Sequence, residues 1–277
     1  MKKYIQKIYS KNAAYQKFEV LKTNRNKRYR YHEFFVEGVR NINEAIKNNW
    51  NISSFIYSGD KKLSSWAQQI LENVKTEMNY ELYQGLMEEL SSKEDTSELL
   101  AVIKMRDDCL EQLAFSENPL IVLFDRPSNK GNLGTIIRSC DSFGVDALII
   151  TGHGVDLYDK DVISASMGSF FNVPAVRASD NDTLFAYLQD LKQKYMQLQM
   201  IGTTAHKEHL ITEVDFTRPT IFLLGNETDG LSRALKENSD MLATIPMCDK
   251  SAASSFNVGC AATVFLYEAV RQRLGKQ

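Results

Sequence analysis

Leu120-Ile121-Val122-Leu123-Phe124 constrains this chain more than any other segment, because five consecutive apolar residues suit a strand buried on both faces. Such strands belong to sheets covered by helices on either side. The residues after it keep the rhythm. A helix carries Ile136, Ile137, Cys140 and Phe143, a strand follows at 147–150, and a helix spans 162–167. Further strands are expected at 173–176, 198–202, 220–224 and 242–245, with a helix at 183–194 between the first two. Val258, Ala261, Ala262, Phe265, Leu266, Ala269 and Val270 share one face of a final helix. Strands alternating with helices predict an α/β fold with a mostly parallel sheet, whose ligands bind beyond the carboxyl ends of the strands.

The first hundred residues predict a smaller α/β unit. Strands are expected at 34–36, 52–57, 77–82 and 99–105, with helices through Ala45 and Ile46, at 61–71 and around 86–90. Charged Arg106-Asp107-Asp108 and polar Ser116-Glu117-Asn118-Pro119 bracket a linker, dividing the chain into domains 1–110 and 118–277. The length of 277 residues accommodates one large domain or two modest ones.

A net charge of −2 hides a strong asymmetry: residues 1–30 carry ten Lys/Arg, including Lys2 and Lys3, against Glu19 alone. Arg25, Lys27, Arg28 and Arg30 are candidate RNA contacts, since neutralising phosphates releases counterions. Tyr29 and Tyr31 interleave with Arg28 and Arg30 and offer faces for unstacked bases; a solvated basic helix is the competing reading. No run of about eighteen apolar residues predicts a membrane span, and the N-terminus lacks an apolar signal core, so a cytoplasmic protein is expected. Cysteines 109, 140, 248 and 260 form no C-x-x-C pair, and His206 and His209 have no third ligand near them in sequence. Neither disulfides nor a metal is expected. Gly152-His153-Gly154 begins a dinucleotide-like pattern, but Leu157 stands where its last glycine should and the segment 156–161 is acidic.

Three polar loops fall at expected strand ends: Asn129 to Arg138, Leu224 to Ser232, and Ile245-Pro246-Met247 running on to Ser255-Phe256-Asn257. Each has a local explanation as an N-cap or turn. Together, in this order, they resemble the three motifs of the SpoU-type (TrmH-like) RNA ribose 2′-O-methyltransferases of the SPOUT superfamily. The resemblance covers roughly 118–277, and Lys27-Arg28-Tyr29-Arg30 leading into Phe34-Phe35-Val36-Glu37-Gly38-Val39-Arg40 is similar to that family's N-terminal substrate-binding domain, a ribosomal-protein-like RNA-binding module.

The resemblance implies a trefoil knot in the C-terminal domain, a homodimer sharing its active site across the interface, and S-adenosyl-L-methionine as cofactor, with no metal. It implies catalytic roles for Arg138, supplied by the partner subunit, and for Asn132, Glu227, Ser255 and Asn257. Thr203, Leu224, Gly225, Ile245, Met247 and Phe256 are the implied cofactor contacts. Position 256 is usually Leu in the family, and 248–254 is about two residues longer than usual, so Ser254 stands beside Ser255 as the motif serine. A guanidinium is normally never deprotonated, which makes positioning of the hydroxyl easier for Arg138 than acting as its base. The implied substrate is ribosomal RNA of the 23S type. Transfer RNA, a base-directed methyl transfer, and an RNA-binding assembly protein with a degenerate pocket are the alternatives.

Overall fold

The computed structural model describes residues 4–91, 96–206 and 208–275. Lys2 and Lys3 of the basic segment lie outside them. The chain forms two compact units, one of residues 1–106 with 156–172, the other of 107–155 with 173–277.

The first unit contains β1 (Ile5–Ile8), α1 (Ala13–Thr23), α2 (Arg25–Tyr31), β2 (Glu33–Glu37), α3 (Val39–Lys47), β3 (Ile52–Ser58), α4 (Ser65–Asn73), β4 (Asn79–Leu82), α5 (Gln84–Leu90) and β5 (Leu99–Lys104). Its sheet runs β1-β4-β3-β5-β2, with β1, β4 and β3 parallel and β5 antiparallel to both its neighbours. The side-chain oxygens of Asn12 and Asn24 accept from the Tyr15 and Lys27 amides and so start α1 and α2. Tyr15, Phe18 and Leu21 of α1 pack with Phe35, Ile56, Leu82 and Leu100 in one core. Neither β1 nor the burial of α1 is expected from the sequence, where a solvated basic helix is the competing reading. A helix whose apolar residues sit among lysines is easily taken for a solvated one.

Arg28 corrects an expectation. It is 1 % exposed, and its guanidinium donates to Asp156 at 2.7 Å from Nε and 2.6 Å from Nη2, and to the Leu21 carbonyl at 3.0 Å. Asp159 adds a longer contact at 3.4 Å. This arginine is a buried structural ion, unable to meet RNA. Its acidic partners lie in the segment 156–172, which belongs to this unit although it comes later in sequence than the unit's other strands and helices. The same segment supplies Tyr158, Phe170 and Phe171, which surround Phe34 and Trp50, and the Trp50 indole donates to the Phe171 carbonyl at 2.9 Å.

The second unit contains β6 (Leu120–Asp125), α6 (Lys130–Ser142) and β7 (Ala147–Thr151). The chain then leaves it for the segment just described, with α7 (Lys160–Ala165). It continues with β8 (Ala175–Arg177), α8 (Asn181–Lys194), β9 (Gln199–Thr203), β10 (His209–Leu210), β11 (Thr220–Leu224), α9 (Arg233–Asn238), β12 (Met241–Thr244) and α10 (Val258–Leu274). The seven strands, ordered β10-β12-β9-β11-β6-β7-β8, are all parallel, and β6 is buried throughout as its composition demands. On α10, Ala262, Phe265, Leu266 and Ala269 are buried as expected. Val264 and Tyr267 leave a second apolar strip 37 % and 56 % exposed.

Breaking a buried ion pair strands a charge, so Arg28→Ala is expected to destabilise the first unit by about 3–5 kcal/mol. Arg30→Ala, on the exposed side of the same helix, should change stability by less than about 0.5 kcal/mol. Denaturant unfolding of the two variants checks the difference.

Candidate active site

The carboxyl ends of β6 and β11 are tied together before any site residue is placed. Asp125, 3 % exposed, accepts from the Thr151 hydroxyl at 2.8 Å and from the Ser232 amide at 2.7 Å. Arg126 then turns the chain with a left-handed backbone (φ 51°), its carbonyl accepting from the Asn226 side-chain amide at 2.7 Å. Its guanidinium reaches the Gly230 carbonyl at 3.0 Å. Asn226 and Gly230 exchange both backbone hydrogen bonds at 3.0 Å, and the Asn226 side-chain oxygen accepts from the Thr228 and Asp229 amides. The turn therefore closes on itself so tightly that a Cβ on Gly225 would lie 2.4 Å from backbone atoms of Gly230 and Leu231. Gly230 (φ +67°) supplies the left-handed corner.

Glu227 projects from this turn and clasps the start of α6. Its carboxylate accepts from the Ser128 amide at 2.9 Å, the Ser128 hydroxyl at 2.5 Å, the Asn129 amide at 3.1 Å and the Asn132 side-chain amide at 3.1 Å. Asn132 accepts in turn from the Asn257 side-chain amide at 3.0 Å. Asn257 also caps α10, its oxygen accepting from the Gly259 amide at 2.9 Å and the Cys260 amide at 3.3 Å. The chain Asn257–Asn132–Glu227 thus joins all three sequence motifs. Asn257 does both with one side chain, capping α10 through its carbonyl oxygen and reaching Asn132 through its amide nitrogen.

Partial burial pushes the Glu227 carboxyl up, but hydrogen bonds from Ser128, from its own backbone and from Asn132 together outweigh it and hold the group below its ordinary value. A carboxylate so engaged is an anchor and a poor proton acceptor.

A cleft of about 710 Å³ opens beside the clasp, at the carboxyl ends of β9, β11 and β12. Thr203, Gly225, Glu227, Ile245, Met247, Ser255 and Phe256 line it, as does Ser254, so both candidate motif serines face the same space. Leu224 does not: it is 1 % exposed and packs in the core at the end of β11, which corrects its assignment as a cofactor contact. Asn132 and Asn257 lie behind the cleft in the hydrogen-bond chain. Arg138 is exposed on α6, six residues beyond Asn132, and none of the four bonds to Glu227 comes from it.

Sequence reasoning missed Asp125, Arg126 and Ser128, whose contacts to Ser232, Gly230 and Glu227 span 99 or more positions and leave no local pattern. It also left unassigned Leu231, Ala261 and Phe265 as walls of the cleft, and His206 at its edge. Among the described residues no group of three or more His, Cys, Asp or Glu is placed to hold a metal ion, and no helix is long and apolar enough to cross a membrane.

Known proteins are similar to this chain in sequence and fold. Residues 119–267 match the SpoU rRNA Methylase family and residues 12–101 the SpoU L30e-like domain. A 23S rRNA (uridine(2479)-2'-O)-methyltransferase of Streptomyces viridochromogenes is 41 % identical over 268 residues, 97 % of this chain and 93 % of that protein. The 23S rRNA (guanosine(2553)-2'-O)-methyltransferase RlmP of Bacillus subtilis is 25 % identical over 93 % of this chain and 96 % of its own. The crystal structure of the SpoU methyltransferase AviRb from Streptomyces viridochromogenes, in complex with AdoMet, superposes with a TM-score of 0.90 at 40 % identity, covering 95 % of this chain and 99 % of that one. The chain belongs to the SpoU rRNA Methylase family.

Two outcomes test the clasp. Gly225→Ala forces backbone apart and should lower stability by about 1–3 kcal/mol in thermal unfolding. Because the Glu227 pKa is depressed on folding, its contribution is complete above the ordinary carboxylate range and is lost as pH falls through the folded value. The stability difference between the wild type and Glu227→Gln should stay constant through neutral and mildly acidic pH and shrink only below about pH 4.

Proposed function

We propose that this protein methylates a ribose 2′-hydroxyl in 23S-type ribosomal RNA, using S-adenosyl-L-methionine. The observation that carries the reading is the hydrogen-bonded union of Asn257, Asn132 and Glu227 beside a cleft of small-molecule size. The ribosomal substrate is supported by relatives whose names specify 23S rRNA and 2′-O transfer, in preference to transfer RNA or a base. Site residues packed this completely favour an enzyme over an assembly protein with a degenerate pocket. Action on ribosomal RNA implies a cytoplasmic protein.

The residues of the cleft fit the cofactor. The turn presents Gly225 and Gly230 at the cleft wall, apolar Leu231, Ile245, Met247 and Phe256 suit an adenosine, and Glu227 and Asp229 complement positive charge. When bound, S-adenosyl-L-methionine supplies a methyl group activated by its sulfonium. The protein's share is to orient the 2′-hydroxyl for in-line attack, exclude competing water and let the hydroxyl proton leave to solvent. Arg138 directs the hydroxyl or an adjoining phosphate through its paired N–H donors. Ser255 completes the polar wall, while Glu227, Asn132 and Asn257 fix the loops that carry it.

Arg138 performs this role from a partner subunit. A homodimer is supported by the exposed Val264 and Tyr267 of α10 and by the absence, among the described residues, of any ion-pair partner for Arg138. Family membership also supports a trefoil knot in the second unit. The L30e-like unit would bind RNA through Arg25, Lys27 and Arg30 beside Tyr29 and Tyr31, with Arg28 held inside as the structural support of that surface.

Arg138→Ala and Asn132→Ala should each abolish methylation while S-adenosyl-L-methionine still binds the Arg138 variant. Mixing the two dead proteins should restore roughly a quarter of wild-type activity, because mixed dimers of this symmetry carry one intact site. No recovery in mixed dimers would place Arg138 in its own subunit's site. Truncating residues 1–30 would remove Tyr15, Phe18 and Arg28 from the core, so point changes probe RNA binding instead. Lys27→Ala with Arg30→Ala should reduce the salt dependence of RNA affinity by about one unit of slope per lost phosphate contact, with cofactor affinity unchanged.

A further inference from the structure

The cleft holds a charge that neither the clasp nor the methyl transfer uses. Among its described lining residues, Lys236 is the sole lysine or arginine. The three acids of the lining are otherwise engaged or turned to solvent, Asp249 being exposed and not without a partner of its own. Glu227 is saturated by Ser128, Asn129 and Asn132, and Asp229, 70 % exposed, lies 4.0 Å from Arg126. Lys236 itself has no ion-pair partner among the described residues.

Its backbone is fixed from several sides. The Lys236 amide donates to the Ser232 carbonyl at 3.0 Å, and its carbonyl accepts from the Ser239 hydroxyl at 2.7 Å and amide at 3.2 Å. Ser232 is tied to buried Asp125, and Leu235, 2 % exposed, locks the roll of α9 into the core. An ammonium carried on so firm a base, at the wall of a cleft, is placed to meet an anion.

The ligand assigned to this cleft offers one. S-adenosyl-L-methionine bears two positive groups, the sulfonium and the α-ammonium, and a single negative one, the α-carboxylate. Withdrawing a carboxylate from water without a partner is costly, and an ammonium is the strongest remedy on this wall. We propose that Lys236 binds the α-carboxylate of the cofactor and so selects an intact amino-acid tail over truncated nucleosides. The proposal rests on the cofactor reading above and adds the group that reads the tail.

Calorimetry on the 277-residue protein with two ligands tests it: S-adenosyl-L-methionine, and its decarboxylated form, which keeps the sulfonium and amine but lacks the carboxylate. Lys236→Met should weaken the first by about tenfold or more, the scale of a lost charge-assisted hydrogen bond, and leave the second unchanged. Lys236→Arg should recover most of the loss, and unliganded melting should be the same for all three proteins. Equal weakening of both ligands, or weakening of neither, would overturn the assignment. So would a Lys236→Met variant with full cofactor affinity but weakened, salt-sensitive RNA binding, which would give the lysine to a phosphate. If wild type itself binds neither ligand, the cofactor reading falls first, which keeps the two failures distinct.

Discussion

The Glu227 carboxylate is the joint on which the second unit's working edge depends. Parallel strands end in loops that have no reason of their own to converge, since each can be satisfied by its own turns and caps. Glu227 removes that independence by accepting four hydrogen bonds from Ser128, Asn129 and Asn132, and Asn132 extends the connection to Asn257. Hydrogen bonds to an ionised acceptor are the strong members of their class, and here they cross from β11 to α6 and on to α10. Beneath them, Asp125 and Arg126 perform the same task with buried and left-handed backbone geometry. The resulting edge is preorganised, as methyl transfer requires of a protein that contributes orientation and little covalent chemistry.

This arrangement divides the motif residues into two kinds of work. Glu227 and Asn226 spend their polar groups on other parts of the protein, shaping loops. Ser254, Ser255 and Phe256 face the cleft and remain available to ligands, and Arg138 stands exposed on α6. A carboxylate with a depressed pKa and filled acceptor sites suits the first kind of work. An arginine without an internal partner suits the second.

Much of the fold could be read directly because its signals are local. The unbroken apolar run of β6, the strand at 220–224 and the small-and-apolar face of α10 each carry their burial in adjacent letters. Charge was the misleading signal. Arg28 and the acidic stretch 156–161 looked unrelated, one a candidate RNA contact and the other a reason to reject a phosphate loop, yet Arg28 and Asp156 are buried partners 128 positions apart. A lysine- or arginine-rich segment has the same composition whether its charges face solvent or an internal acid, and only tertiary structure separates the cases. Asn257 shows the intermediate situation. Its capping role follows from the helix start, whereas its bond to Asn132 follows from nothing within 125 positions.

A double-mutant cycle on Glu227 and Asn257, read in kcat/KM for methylation of ribosomal RNA, measures the union of the three loops most directly. The two side chains exchange no hydrogen bond with each other and communicate through Asn132. If the chain acts as one unit, Glu227→Gln combined with Asn257→Ala will cost little more than the worse single change, as residues working together are strongly non-additive. Losses that simply multiply would mean that the loops act separately and that the site is not built on their connection.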